Sequence, residues 1–276
     1  MELNEIDPAG QEAALRPRSQ RLRRGVYLLP SFFTMGNLLC GYYAILSVLE
    51  GRAGDLNNAA RAIGVAFLFD ALDGRVARAT GTNSEFGKQF DSLADIVSFG
   101  IAPAFIAYAW GVRDLPLTEL AQITHIYQLG WWVCFVFVAC CAWRLARFNI
   151  QGMAPGTSAR FFVGLPTPAA AGIVAATVYA SSGPIGEPVI TFLWLGLVLC
   201  VGLLMASTLR YYSFKDIAWT KRQSALRVVV ILALLGGAIV FYSKITLLLM
   251  AGGYVAHGPV LRLVRTFRHK QSVRTA

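Results

Sequence analysis

Four aspartates stand out as the residues of this chain best suited to chemistry. They lie in one stretch, Asp70 to Asp95, which reads DALDGRVARATGTNSEFGKQFDSLAD. On a helix, Asp70 and Asp73 are i and i+3 and share a face, while Asp91 and Asp95 are i and i+4 and stack on a second helix. A polar hinge from Thr80 to Lys88, with Gly81 and Gly87 in it, separates the pairs, so two antiparallel helices can bring the carboxylates to one point. Carboxylates packed at low dielectric repel one another strongly. Hard divalent cations remove that repulsion, because Mg²⁺ and Mn²⁺ favour carboxylate oxygens and share their coordination with substrate phosphates. Two such ions would neutralise the four charges. Taken singly, each aspartate could instead cap a helix or pair with Arg75, Arg78 or Lys88. Together, at the edge of strongly apolar segments where ionisable groups are costly, they mark function.

The spacing is D-x-x-D-G-x-x-A-R-x8-G-x3-D-x3-D, and a chance match anywhere in the chain is on the order of 10⁻⁸. It resembles the signature of the CDP-alcohol phosphotransferases, whose eight positions are filled by Asp70, Asp73, Gly74, Ala77, Arg78, Gly87, Asp91 and Asp95. The resemblance implies that Asp70, Asp73 and Asp91 hold the metals, with Asp95 at the cluster's end serving also as general base. It implies a CDP-diacylglycerol with its pyrophosphate bridged by Mg²⁺ or Mn²⁺, attacked by an alcohol with loss of CMP, and it carries the expectation of a homodimer. Gly74 and Ala77 lack bulk, so a nucleotide can lie against their helix, although tight helix packing uses small residues too. Arg78 is placed to bind the pyrophosphate, bidentately where geometry permits. Ser84 matches a family position that touches phosphate. Thr34 and Asn37, with Gly41, form a polar stripe on the first apolar helix. Such a stripe serves interhelical hydrogen bonding or ligand contact, and the Thr-x-x-Asn pair of the family faces the nucleotide.

These residues must be held by a membrane scaffold. Of 276 residues, 56% are hydrophobic and 14% charged, with a mean hydropathy of +0.54. A soluble domain carries about 25% charged residues. Apolar segments at about Val26–Leu49, Ala59–Ala79, Phe90–Gly111, Ile126–Arg147, a fifth ending near Ser181, Val189–Ser207, Leu226–Tyr242 and Ile245–His257 give an all-α integral membrane protein of about eight spans. Residues 1–25 read as a polar, basic, disordered segment without a signal-peptide cleavage site, 26–260 as the transmembrane catalytic domain, and 261–276 as a basic tail. The five cysteines are scattered through apolar runs, which suits buried thiols rather than disulfides or a zinc site.

With eight spans, 21 of the 25 Lys and Arg fall on one side, leaving Arg52, Arg61, Arg113 and Lys244 on the other. The positive-inside rule then places both termini and the aspartates in the cytoplasm, at a cell (inner) membrane. The net charge of +10 is thereby topological, and no nucleic acid is expected as a partner. Two further stretches, RLARFN (Arg144–Asn149) and FVGLPTP (Phe162–Pro168), resemble the serine-accepting branch of the family. This makes CDP-diacylglycerol and L-serine the expected substrates, with Arg144 and Arg147 gripping the serine carboxylate or a phosphate. Glycerol 3-phosphate or inositol phosphate would also welcome two arginines. Arg147 serves equally as a positive-inside anchor. A different class, an ion-coupled transporter, would call for mid-membrane charges and an internal repeat, and neither is visible.

Overall fold

The computed structural model describes residues 18–52, 54–80, 84–115, 125–151, 161–181, 183–212 and 243–262. Seven helices account for nearly all of them: α1 Arg18–Glu50, α2 Asp55–Thr80, α3 Glu85–Arg113, α4 Ile126–Gln151, α5 Thr167–Ala180, α6 Pro188–Ala206 and α7 Ser243–Arg262. Five of them, α3, α4, α6, α7 and α1 from Phe32 onward, are long and apolar enough to cross a membrane. The remaining long helix, α2, carries Asp55, Arg61, Asp70, Asp73, Arg75 and Arg78, the charge that goes with the candidate site.

Six expected spans and the last one coincide with these helices. The segment Leu226–Tyr242 lies outside the described residues, as do the first 17 residues and the tail from residue 263. The first helix begins at Arg18 rather than near Val26, so the arginines from Arg18 to Arg24 continue the helix instead of preceding it. A short ribbon accompanies the all-α architecture. Phe161–Val163 (β1) pairs antiparallel with Arg210–Tyr212 (β2), Phe162 opposite Tyr211. Aromatic residues in both strands, with Val163 in β1, suit a pleated ribbon.

Packing follows from small residues and from polar groups that find partners. On α1, a Cβ at Gly41 would lie 2.5 Å from Ser98 Oγ, so only glycine allows α1 and α3 to approach as closely as they do. On the far side of α3, Trp194 Nε1 donates to the Ala107 carbonyl at 3.0 Å and Thr191 Oγ1 to that of Gly111 at 2.9 Å, which fastens α6. Such buried donors are costly unless paired. The ribbon holds α7: Tyr211 is fully buried, lies 5.9 Å from the Tyr254 ring, and donates to the Val255 carbonyl at 3.4 Å. Burial pushes its phenol up to about 12, so it remains a neutral donor at physiological pH.

Candidate active site

The aspartates meet where α2 and α3 run side by side against α1. Ser84 caps α3, its Oγ accepting from the Gly87 N–H at 2.9 Å. This cap starts the helix before Asp91, and stacks Asp91 and Asp95 one turn apart on the face toward α2. Directly after Asp95 the helix widens into a π-helical stretch, Ile96–Ile101. Such turns occur mostly as single inserts at functional sites. Here the stretch brings buried Ser98 against α1, where its hydroxyl donates to the Asn37 carbonyl at 2.8 Å.

Carboxylate oxygens of Asp70, Asp91 and Asp95 all lie within 4.8 Å of one another, a group that could hold a metal ion. One oxygen of Asp91 is buried without a hydrogen-bond partner among the described residues. Among the described residues no lysine or arginine forms an ion pair with any of the three. Three close carboxylates, an orphaned oxygen and no ion pair to any of them among the described residues fit a hard cation. Asp73 stands beside them and accepts a hydrogen bond from Thr34 Oγ1.

The polar stripe of α1 reaches these acids. Asn37 Nδ2 donates to Asp95 Oδ1 at 2.9 Å, while Thr34 and Asn37 are themselves buried. Thr34 and Asn37, expected at the nucleotide, are hydrogen-bond partners of Asp73 and Asp95. Gly74 and Ala77, both half-buried, follow Asp70 and Asp73 by one turn each on α2. Arg78 lies on the same helix, its side chain outside the described residues.

The RLARFN segment divides into three jobs. Arg144 is buried, within electrostatic reach of Asp70 and Asp95, and donates through Nη1 to Thr167 Oγ1 at 3.3 Å. Its Nε has no hydrogen-bond partner among the described residues. Arg147 turns the other way: it donates to the carbonyls of Ala206 at 3.2 Å, Val163 at 3.1 Å and Ser207 at 3.0 Å. These are acceptors left over at the end of α6 and of β1, and a cation suits a helix C-terminus. The turn beside it needs Gly164, whose φ of +82° and 2.5 Å Cβ distance to the Met205 carbonyl exclude any side chain. Asn149 ties α4 to α3 by donating to Ser92 Oγ at 2.9 Å, next to Asp91. Thr167, Ser98 and Asn149 were not singled out from the sequence. The FVGLPTP resemblance marks the segment of Thr167 and assigns no role to the residue.

Comparison with known proteins fits this geometry. Residues 27–202 match the CDP-alcohol phosphatidyltransferase family. The chain belongs to that family. A CDP-diacylglycerol–serine O-phosphatidyltransferase of Helicobacter pylori (strain J99) is 36% identical over 196 residues, covering 70% of this chain and 76% of that one. A protein of the same name from Methanocaldococcus jannaschii is 33% identical over 175 residues, 63% of this chain and 74% of that one. Another from Mycobacterium leprae is 38% identical over 159 residues, 56% and 48% of the two chains. CDP-alcohol phosphatidyltransferases generally use a divalent metal, and the three-aspartate group is where this chain could hold one. Every residue of the site falls inside the matched span.

Proposed function

We propose that this protein moves the phosphatidyl group of CDP-diacylglycerol to the hydroxyl of L-serine, giving phosphatidylserine and CMP, at the cytoplasmic face of a cell (inner) membrane. The observation that carries the reading is the meeting of Asp70, Asp91 and Asp95 with a buried Arg144 that keeps a free donor beside them. The shared name of the relatives supports serine as acceptor. So does the commitment of Arg147 to three carbonyls. One available guanidinium suits a carboxylate, whereas a phosphate-bearing acceptor would favour two.

Asp70, Asp73, Asp91 and Asp95 are the residues that would hold the metal, Mg²⁺ or Mn²⁺ and two ions in this reading. When bound, the ions neutralise the pyrophosphate and the charge that develops on the transferring phosphoryl group. The chain's own residues do the rest. Asn37 engages Asp95 Oδ1, which leaves Oδ2 to take the proton of the serine hydroxyl. The serine oxygen attacks the phosphorus bearing the lipid, the bond to the CMP oxygen breaks, and CMP departs with the electron pair. Arg144 holds the serine carboxylate through Nε and Nη2. Arg78 binds the pyrophosphate, Ser84 donates to a phosphate oxygen, and Gly74 and Ala77 let the nucleotide lie against α2. Thr34 and Asn37 act as positioning residues for Asp73 and Asp95. The charge asymmetry of the loops supports the cytoplasmic orientation. The homodimer rests on family resemblance alone, and light scattering in detergent tests it.

Mn²⁺ titration of purified protein by calorimetry, alongside CMP release after EDTA treatment, tests the metal reading. Binding that Asp91→Asn abolishes, with CMP release lost in EDTA and restored by Mn²⁺, is expected. Full release in EDTA would overturn it.

A further inference from the structure

At the end of the bundle away from the aspartates, the positive-inside pattern leaves four basic residues, and these divide into two kinds. Arg52 pairs with Glu50 at 3.2 Å, and Arg113 with Asp114 at 3.0 Å and with the Val48 carbonyl at 2.9 Å. The cavity of about 230 Å³ that Arg52, Asp55, Arg113 and Asp114 line therefore has its charges already matched. Arg61 and Lys244 are different. Among the described residues neither forms an ion pair, yet they converge on one ring. The Arg61 guanidinium lies 5.4 Å and the Lys244 ammonium 5.7 Å from the centroid of Tyr179. Tyr179 Oη sits 3.3 Å from Ser243 Oγ.

Three helices supply this group: α2 by its second turn, α5 by its last and α7 by its first. Arg61 precedes Asp70 by nine residues on α2, so the group lies about 14 Å from that carboxylate along the helix. The ring accounts for a cation–π attraction to each charge, but it carries no net charge to offset two like ones. An anion that accepts from both cations and from the one hydroxyl proton that the Tyr179–Ser243 pair leaves free would. Aromatic residues concentrate at the membrane–water interface, and long basic side chains reach for the headgroup level. The anion found at that depth is phosphate.

We propose that Arg61, Tyr179, Ser243 and Lys244 form a phosphate-binding site where α2 begins, α5 ends and α7 begins, at the end of the bundle away from the aspartates, one that takes the headgroup phosphate of an anionic phospholipid. The test is native mass spectrometry of the full-length protein titrated with phosphatidylglycerol, with uncharged diacylglycerol, and with phosphatidylglycerol in the presence of inorganic phosphate. The Arg61→Gln/Lys244→Gln double variant should lose one bound phosphatidylglycerol, its affinity falling about tenfold or more. Diacylglycerol retention should not change, and the charge-keeping Arg61→Lys/Lys244→Arg variant should recover the lipid. Phosphatidylglycerol that survives inorganic phosphate supports the headgroup; displacement by it supports the same site with free phosphate as its occupant. CMP release should be unaltered in every variant, which reports an intact fold. Equal phosphatidylglycerol stoichiometry and affinity in wild type and double variant would overturn the site. Should the double variant fail to fold, Lys244→Gln alone, at an exposed side chain, puts the site to the same test: weakened phosphatidylglycerol binding supports it and unchanged binding overturns it.

Discussion

Arg144 and Arg147 are the same residue type, one turn apart on α4, and they live in opposite surroundings. Arg144 is buried among Asp70, Asp95 and Thr167 with a donor to spare. Arg147 spends its guanidinium on three main-chain carbonyls where α6 ends and β1 runs past. The difference is one of unmet need. A charge whose donors are all answered by backbone closes the fold, whereas a buried charge with an open donor beside carboxylates awaits a ligand. Leaving such a group unanswered is costly, so its presence points to what the site is for.

Removing the acid that Arg144 faces should have the largest effect. Asp95→Asn should lower CMP release about a thousandfold, within the range that a general base supplies, while the thermal unfolding midpoint in detergent stays or rises because three crowded carboxylates become two. A variant with near-normal release would separate Arg144 from any base at Asp95. Arg144→Met comes next: kcat/KM for serine should fall about a hundredfold, the KM for CDP-diacylglycerol should hold, and Mn²⁺ binding should persist. Loss of metal binding instead would mean that Arg144 shapes the cluster, not the acceptor pocket.

Arg147→Met should do the reverse. Stability should drop by about 2 kcal/mol, read as a lowered unfolding midpoint, with the folded fraction keeping its KM for serine. A selective rise in that KM would erase the contrast between the two arginines. The smallest effect belongs to Asn37→Ala, where losing one hydrogen bond to Asp95 should cost about fivefold to tenfold in kcat with little change in either KM. Because Asn37 touches Asp95 and not the acceptor, a KM effect larger than the kcat effect would return Asn37 to a substrate-binding role.

Much of the molecule is legible in its chain. The period and length of the apolar runs locate six helices and the last one, because burial in lipid demands them. The i,i+3 and i,i+4 aspartates imply a convergence that the structure largely delivers in Asp70, Asp91 and Asp95. What the sequence does not disclose depends on contacts between distant segments. Thr34 and Asp73 are 39 residues apart and Asn37 and Asp95 are 58, so nothing local distinguishes a ligand-facing stripe from one that holds acids. The two arginines carry no local label either, since the role of Arg147 is set by α6 and β1 arriving 59 and 16 residues later. The π-helical stretch after Asp95 is invisible for the same reason: IVSFGI is an ordinary apolar run, and the anchor for its Ser98 lies on α1.

The most direct test of serine transfer at the aspartate cluster is acceptor-dependent CMP release by the purified protein with CDP-diacylglycerol and Mn²⁺, comparing L-serine, glycerol 3-phosphate and inositol phosphate in wild type and Asp95→Asn. Release with L-serine alone, absent in the variant, is the predicted result. Release driven by glycerol 3-phosphate or inositol phosphate, or serine-dependent release that survives Asp95→Asn, would contradict it.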